Sequence, residues 1–173
     1  MYETVYAGGV KGRCARFSLE FTQDEADEFA SSATRALRYL RTHEVKMSDE
    51  TEDLIGYMPY EYNSIAGRYE VTLIYFDKQV NIFEAMTAAT NVSLCELKLV
   101  PFLLTKGTEQ IKLALKSFTQ NSEMIGVATN PRAGRNFVIS TDWNSLELRR
   151  LIEPVGHASI DRRYCWIFAD EIS

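Results

Sequence analysis

The chain has 173 residues, 46% of them hydrophobic and 25% charged, with no Pro-, Gly- or Ser-rich tract; this excludes a disordered or fibrous protein and leaves enough apolar material for one core without staples. Asp and Glu outnumber Lys and Arg by 24 to 19, so a broad basic face for duplex nucleic acid is not expected. The longest mostly apolar stretch, Leu97–Leu104, is interrupted by Lys98 and Pro101 and is too short for a bilayer, so no membrane association is expected.

Tyr2–Ala7 reads as a short strand, followed by Gly8-Gly9-Val10-Lys11-Gly12, whose permissive backbone suits a reversal. The run GGVKGR superficially matches a phosphate-binding loop. A Walker loop needs GxxxxGK[ST] leading into a helix, and here a strand follows, so a hairpin turn is expected. Phe17, Leu19 and Phe21 alternate with Arg16, Ser18 and Glu20 as in a half-buried strand. That strand runs into Thr22 and Glu25, which have capping-box spacing. Ala26, Phe29, Ala30, Ala33, Leu37 and Leu40 then form an apolar stripe, which predicts one helix over 22–42. Its acids crowd the first turns, and Arg35, Arg38 and Arg41 the last ones, as the helix dipole favours.

Residues 43–68 are the least regular segment, with a short helix predicted from near Asp49 to near Gly56. Tyr69–Phe76 is rich in β-branched and aromatic residues and reads as a central strand. Asp77 is placed to cap a helix through Val80, Phe83, Met86 and Ala89, and Leu94–Leu104 is a strand candidate with Pro101 at an edge or bulge. Thr108 caps a helix through Ile111, Leu115 and Phe118. Met124–Ala128 and Phe137–Ser140 flank Asn130-Pro131-Arg132-Ala133-Gly134 as a hairpin. A helix is predicted from Asp142 through Leu146, Leu151 and Ile152, and Tyr164–Ala169 closes the chain as an apolar strand. The expectation is a single α+β domain over 1–173, with a mixed or antiparallel sheet and about four helices packed on it.

The chemistry-bearing residues are sparse. Cys14, Cys95 and Cys165 form no CxxC pair, so buried reduced thiols and a cytoplasmic location are expected; the N-terminal MYETVYAGGVKGR carries no secretory signal pattern. His43 and His157 stand at no zinc-motif spacing. His43 is expected to interact with the carbonyl end of the first helix, and a Cys165–His157 nucleophile pair has no local signature. Asp49-Glu50-Thr51-Glu52-Asp53 fits an EF-hand poorly, because Leu54 stands where the glycine belongs. No catalytic residue, metal or cofactor is expected.

The polarity of the chain is local. Within 44–61, Glu44, Asp49, Glu50, Glu52, Asp53 and Glu61 face the single Lys46, which accounts for the whole net charge of −5. Tyr57, Met58, Tyr60 and Tyr62 follow the acids. Acids beside aromatic anchors suit docking on a basic protein surface, with Asp49, Glu50, Glu52 and Asp53 steering and Tyr57, Met58, Tyr60 and Tyr62 supplying buried contact. The expectation is therefore a non-enzymatic inhibitor or adaptor. Its partner could be a nucleic-acid-binding enzyme, with the carboxylates acting as a nucleic-acid mimic. The alternative is single-stranded RNA or DNA binding by basic turns, through Lys11, Arg13, Arg132, Arg135, Arg162 and Arg163. Oligomeric state is open, since Tyr60 and Tyr62 equally suit self-association.

Overall fold

The computed structural model describes residues 2–56, 64–88, 99–118, 124–128, 138–142, 147–151, 159–160 and 164–172. In chain order the elements are β1 (Glu3–Ala7), β2 (Val10–Phe21), α1 (Gln23–Phe29), α2 (Ala33–Thr42), β3 (Lys46–Met47), α3 (Asp49–Gly56), β4 (Gly67–Phe76) and β5 (Val80–Asn81). They continue with α4 (Ile82–Ala88), α5 (Val100–Lys106), α6 (Thr108–Phe118), β6 (Met124–Ala128), β7 (Val138–Asp142), β8 (Glu147–Leu151), β9 (Ser159–Ile160) and β10 (Tyr164–Ile172). Eight strands form one sheet in the order β1-β2-β4-β10-β6-β7-β8-β3, and β5 pairs with β9 separately. The β10–β6 and β3–β8 pairs are parallel and the other ladders antiparallel, so the fold is α+β with a mixed sheet.

The alternation seen in the sequence becomes two faces. Ala15, Leu73 and Ile167 lie in one cross-strand row, and Phe17, Val71 and Ala169 in the next. These rows share a hydrophobic cluster with Ala26, Phe29, Leu40, Ile55, Phe102, Leu103, Ile111 and Phe118 from the helices. On the opposite face, Cys14, Ile74 and Trp166 form another row, and Thr72 lies beside Phe168; all five are buried. The centre of the sheet is thus dry on both sides, which explains the continuous apolar character of Val71–Phe76 and Cys165–Ala169.

The hairpin expected at Gly8-Gly9 is present. Ala7 pairs with Val10, and Gly8 and Gly9 hold φ of 53° and 78°, the two positive values that a tight hairpin of the favoured twist needs. The predicted capping box is also present: Thr22 Oγ1 accepts from the Glu25 N–H at 3.1 Å, and Glu25 Oε2 accepts from the Thr22 N–H at 2.8 Å.

Three predicted elements are corrected. The helix expected over 22–42 is two helices, α1 and α2, separated at Ala30–Ser32. Ser31 Oγ donates to the Asp27 carbonyl at 2.9 Å, and Ser32 Oγ accepts from the Arg35 N–H at 3.2 Å. Two consecutive serines offer the backbone side-chain partners in place of helical ones, so the chain stops and restarts. The strand expected over 94–104 is, in its described part, helix α5. Pro101 sits in its first turn, where the missing N–H costs nothing. The helix expected from Asp142 is instead β8, with Asp142 opposite Glu147 and Val138 opposite Leu151. Pairing with β7 on one side and β3 on the other overrides the weak strand preference of Glu147–Leu151. In the segment after Asp77, Val80–Asn81 forms β5 before α4 begins at Ile82. No helix among the described residues is long and apolar enough to cross a membrane.

Candidate functional site

Helix α3 carries the acids. Ser48 starts it: its Oγ accepts from the Thr51 N–H at 3.2 Å, and its carbonyl accepts from the Glu52 N–H at 2.9 Å. Thr51 and Ile55, one turn apart, are fully buried, and the two hydroxyls of Ser48 and Thr51 lie 3.0 Å apart. Burying that face turns Asp49, Glu50 and Asp53 to solvent, where all three are exposed. Asp49 and Asp53 lie on one ridge at i, i+4 spacing.

Glu52 is different. It faces α2, where Arg41 Nη2 donates to Oε2 at 3.1 Å and Arg41 Nε donates to Oε1 at 3.4 Å. This two-pronged pair ties the acidic helix to the last turn of α2, so Glu52 fastens the surface rather than facing a partner freely. Because Asp49–Asp53 is helical, its carboxylates are spread around a cylinder and do not converge as cation-loop ligands do. Among the described residues no group of three or more His, Cys, Asp or Glu side chains could hold a metal ion.

The chain enters this region through Glu44, which has φ of 58° and is exposed. The Glu44 N–H donates to the Arg41 carbonyl at 3.0 Å and the Val45 N–H to the Leu40 carbonyl at 3.0 Å, closing the end of α2 with a left-handed residue. His43 accompanies it, with Nδ1 2.8 Å from the Tyr39 carbonyl and its ring 4.0 Å from the Tyr39 ring. The expected interaction of His43 with the carbonyl end of the helix is therefore present. α3 packs against β3 and β8, at the end of the sheet opposite β1. The aromatic part of the predicted surface, Tyr57, Met58, Tyr60 and Tyr62, lies outside the described residues.

Of the basic turns, Lys11 is exposed and Arg13 is half-buried. Arg13 Nη1 donates to the carbonyl of Phe118 at the end of α6. Its Nη2 is 3.8 Å from Asp77, and its guanidinium lies 5.7 Å from the centre of the Tyr2 ring. These interactions engage the Arg13 guanidinium within the fold. Arg132, Arg135, Arg162 and Arg163 lie outside the described residues.

The two described cysteines are buried. Burial pushes the Cys14 thiol up to about 11, and burial holds Cys165 well above its usual value. The burial expected for both thiols is therefore present. His157 and Cys95 lie outside the described residues. The Arg41–Glu52 pair was not legible in the sequence, where Arg41 reads simply as a charge suited to a helix C-terminus. Comparison with protein-family models, curated proteins and solved structures gave no match.

Proposed function

We propose that this chain is a non-enzymatic recognition protein, an inhibitor or adaptor, that docks the outward face of α3 and the tyrosine segment after it on a basic protein surface. The observation that carries the reading is the division of labour within α3. Thr51 and Ile55 anchor it, Glu52 is pinned by Arg41, and Asp49, Glu50 and Asp53 are left exposed. Exposed carboxylates on a fixed helix raise association rates with a basic partner, and the adjacent Tyr57, Met58, Tyr60 and Tyr62 would supply the desolvated contact. The basic groove of a nucleic-acid-binding enzyme is one surface with the required charge, where the carboxylates would stand in for phosphates. Engagement of Arg13 within the fold weighs against the alternative, single-stranded nucleic-acid binding by the basic turns.

The test is affinity capture from the native lysate with and without nuclease. The wild-type chain is expected to retain a protein partner after nuclease treatment, and a variant combining Asp49→Asn, Glu50→Gln and Asp53→Asn is expected to lose it. Equal capture by that variant, or capture that vanishes with nuclease, removes the reading.

A further inference from the structure

Separating α1 from α2 removes the helix-dipole reason for two of the three arginines of α2. Only Arg41 stands in the last turn of that helix, and its first turn carries no acid. Arg35 is used within the fold, since its Nη1 donates to the Asp27 carbonyl at 2.6 Å near the end of α1. Arg41 is used by Glu52. Arg38 is exposed, and among the described residues no ion pair engages it or Asp49, Glu50 and Asp53 of α3.

Arg38 and Asp53 hold equivalent positions on the two helices. Arg38 lies midway between Ala36 and Leu40, and Asp53 midway between Thr51 and Ile55, four residues that are all fully buried. At about 100° per residue, the midway residue points directly away from the buried side. Ala36, Leu40 and Ile55 share one hydrophobic cluster, and the Arg41–Glu52 pair joins α2 and α3 side by side. The outer faces of the two helices therefore turn to solvent together. One is led by Arg38, the other by Asp53 with Asp49 one turn before it.

We propose that this surface is a self-association face, on which two copies meet about a two-fold axis along the Arg41–Glu52 seam, with α2 of each over α3 of the other. A two-fold interface must be self-complementary, and a cationic ridge beside an anionic one is. Arg38 of each copy then faces Asp53 of the other, whereas an axis running across the helices would set Arg38 against Arg38. A uniformly basic partner satisfies Asp49 and Asp53 only; a second copy satisfies Arg38 as well. The dimer covers carboxylates that the basic partner would use, so the two compete. The dimer itself rests on charges within this chain and does not depend on that partner.

Exposed ion pairs are individually weak, so the dimer is expected to be transient and to depend on concentration. Sedimentation velocity of the full chain from about 10 μM to about 1 mM, in about 0.1 M salt, is expected to show monomer passing to dimer. At that salt the screening length of about 10 Å damps the repulsion between two net charges of −5 more than it damps pairs in contact. At about 1 M salt, where it is about 3 Å, the dimer is expected to dissociate. Charge reversal tests the pairing. Arg38→Asp and Asp53→Lys each set like charges opposite one another, so each alone is expected to stay monomeric with unchanged circular dichroism. An equimolar mixture of the two is expected to dimerise as wild type does, because every facing pair is again of opposite sign. One chain carrying both changes is expected to do the same. Sedimentation uses purified protein alone, so the dimer and the α3 partner can fail separately. A wild-type chain monomeric up to about 1 mM, a dimer indifferent to either reversal, or reversed variants that stay monomeric when mixed overturns the proposal.

Discussion

Lys106 Nζ stands 2.7 Å from both carboxylate oxygens of Glu25, joining the end of α5 to the first turn of α1 across 81 residues of sequence. The ammonium also lies 5.0 Å from the centre of the Phe21 ring. Glu25 serves two purposes there, since the same carboxylate closes the capping box on Thr22. The hydrogen bond from Lys106, followed by those at Thr22, holds the Glu25 carboxyl below its ordinary value of 4.5. A depressed folded-state value means that the stabilisation is fully present above the unfolded value and is lost as pH falls through the folded one. Lys106→Met is therefore expected to lower stability near neutral pH by about 1 kcal/mol or less, because both side chains are about one-third exposed. It is also expected to flatten the fall in melting temperature below pH 4.5, the ordinary value for Glu25. Thermal melts of wild type and variant from neutral to acidic pH give the comparison.

The break between α1 and α2 has its own signature. Ser32→Ala removes the acceptor for the Arg35 N–H and is expected to destabilise the fold by about 1 kcal/mol. In an uninterrupted helix the same change would be neutral or stabilising, because Ala is the better helix former. Urea titration of the variant distinguishes the two by sign.

Glu44 occupies a left-handed conformation that glycine adopts without steric cost. Glu44→Gly is expected to raise stability by about 1 kcal/mol. Because it also removes one exposed carboxylate, measuring both melting temperature and partner capture separates its conformational role from its charge.

Thr72 is fully buried on β4, and its Oγ1 has no hydrogen-bond partner among the described residues. Valine keeps the shape and the branched Cβ while removing an unsatisfied hydroxyl. Thr72→Val is expected to stabilise by about 1 kcal/mol in chemical denaturation, and a loss of stability would reveal a partner for that hydroxyl.

Cys14 and Cys165 are 1% exposed and have thiols raised by burial. Mass spectrometry after alkylation at pH 8 is expected to leave both unlabelled in the native protein and to label both once the chain is unfolded. Rapid native labelling of Cys165 would contradict its place in the sheet core.

The parts of the fold that were legible in the sequence are those governed by neighbours a few residues apart. The alternation of Phe17, Leu19 and Phe21, the Thr22–Glu25 box and the Gly8-Gly9 turn all act within one strand or one helical turn, and all appear in the structure. The acids of α3 and their position at a helix start were legible for the same reason. Misreadings arose where two local signals conflicted. Ser31 and Ser32 interrupt a continuous apolar stripe without disturbing its period, and Pro101 suits a helix start as well as a strand edge.

The sequence alone determined an α+β chain with one acidic segment on an otherwise balanced background, because composition, periodicity and capping are short-range properties. Only the tertiary structure decided that Glu147–Leu151 is a strand, that Glu52 belongs to Arg41 and Glu25 to Lys106, and that Arg13 is engaged by Phe118, Asp77 and Tyr2. Among the described residues it also placed β1 and the two-residue β3 at opposite ends of the sheet. These outcomes depend on which strands and helices become neighbours. That choice is made by burying apolar faces across tens of residues, and it assigns each surface charge either to a partner within the fold or to solvent.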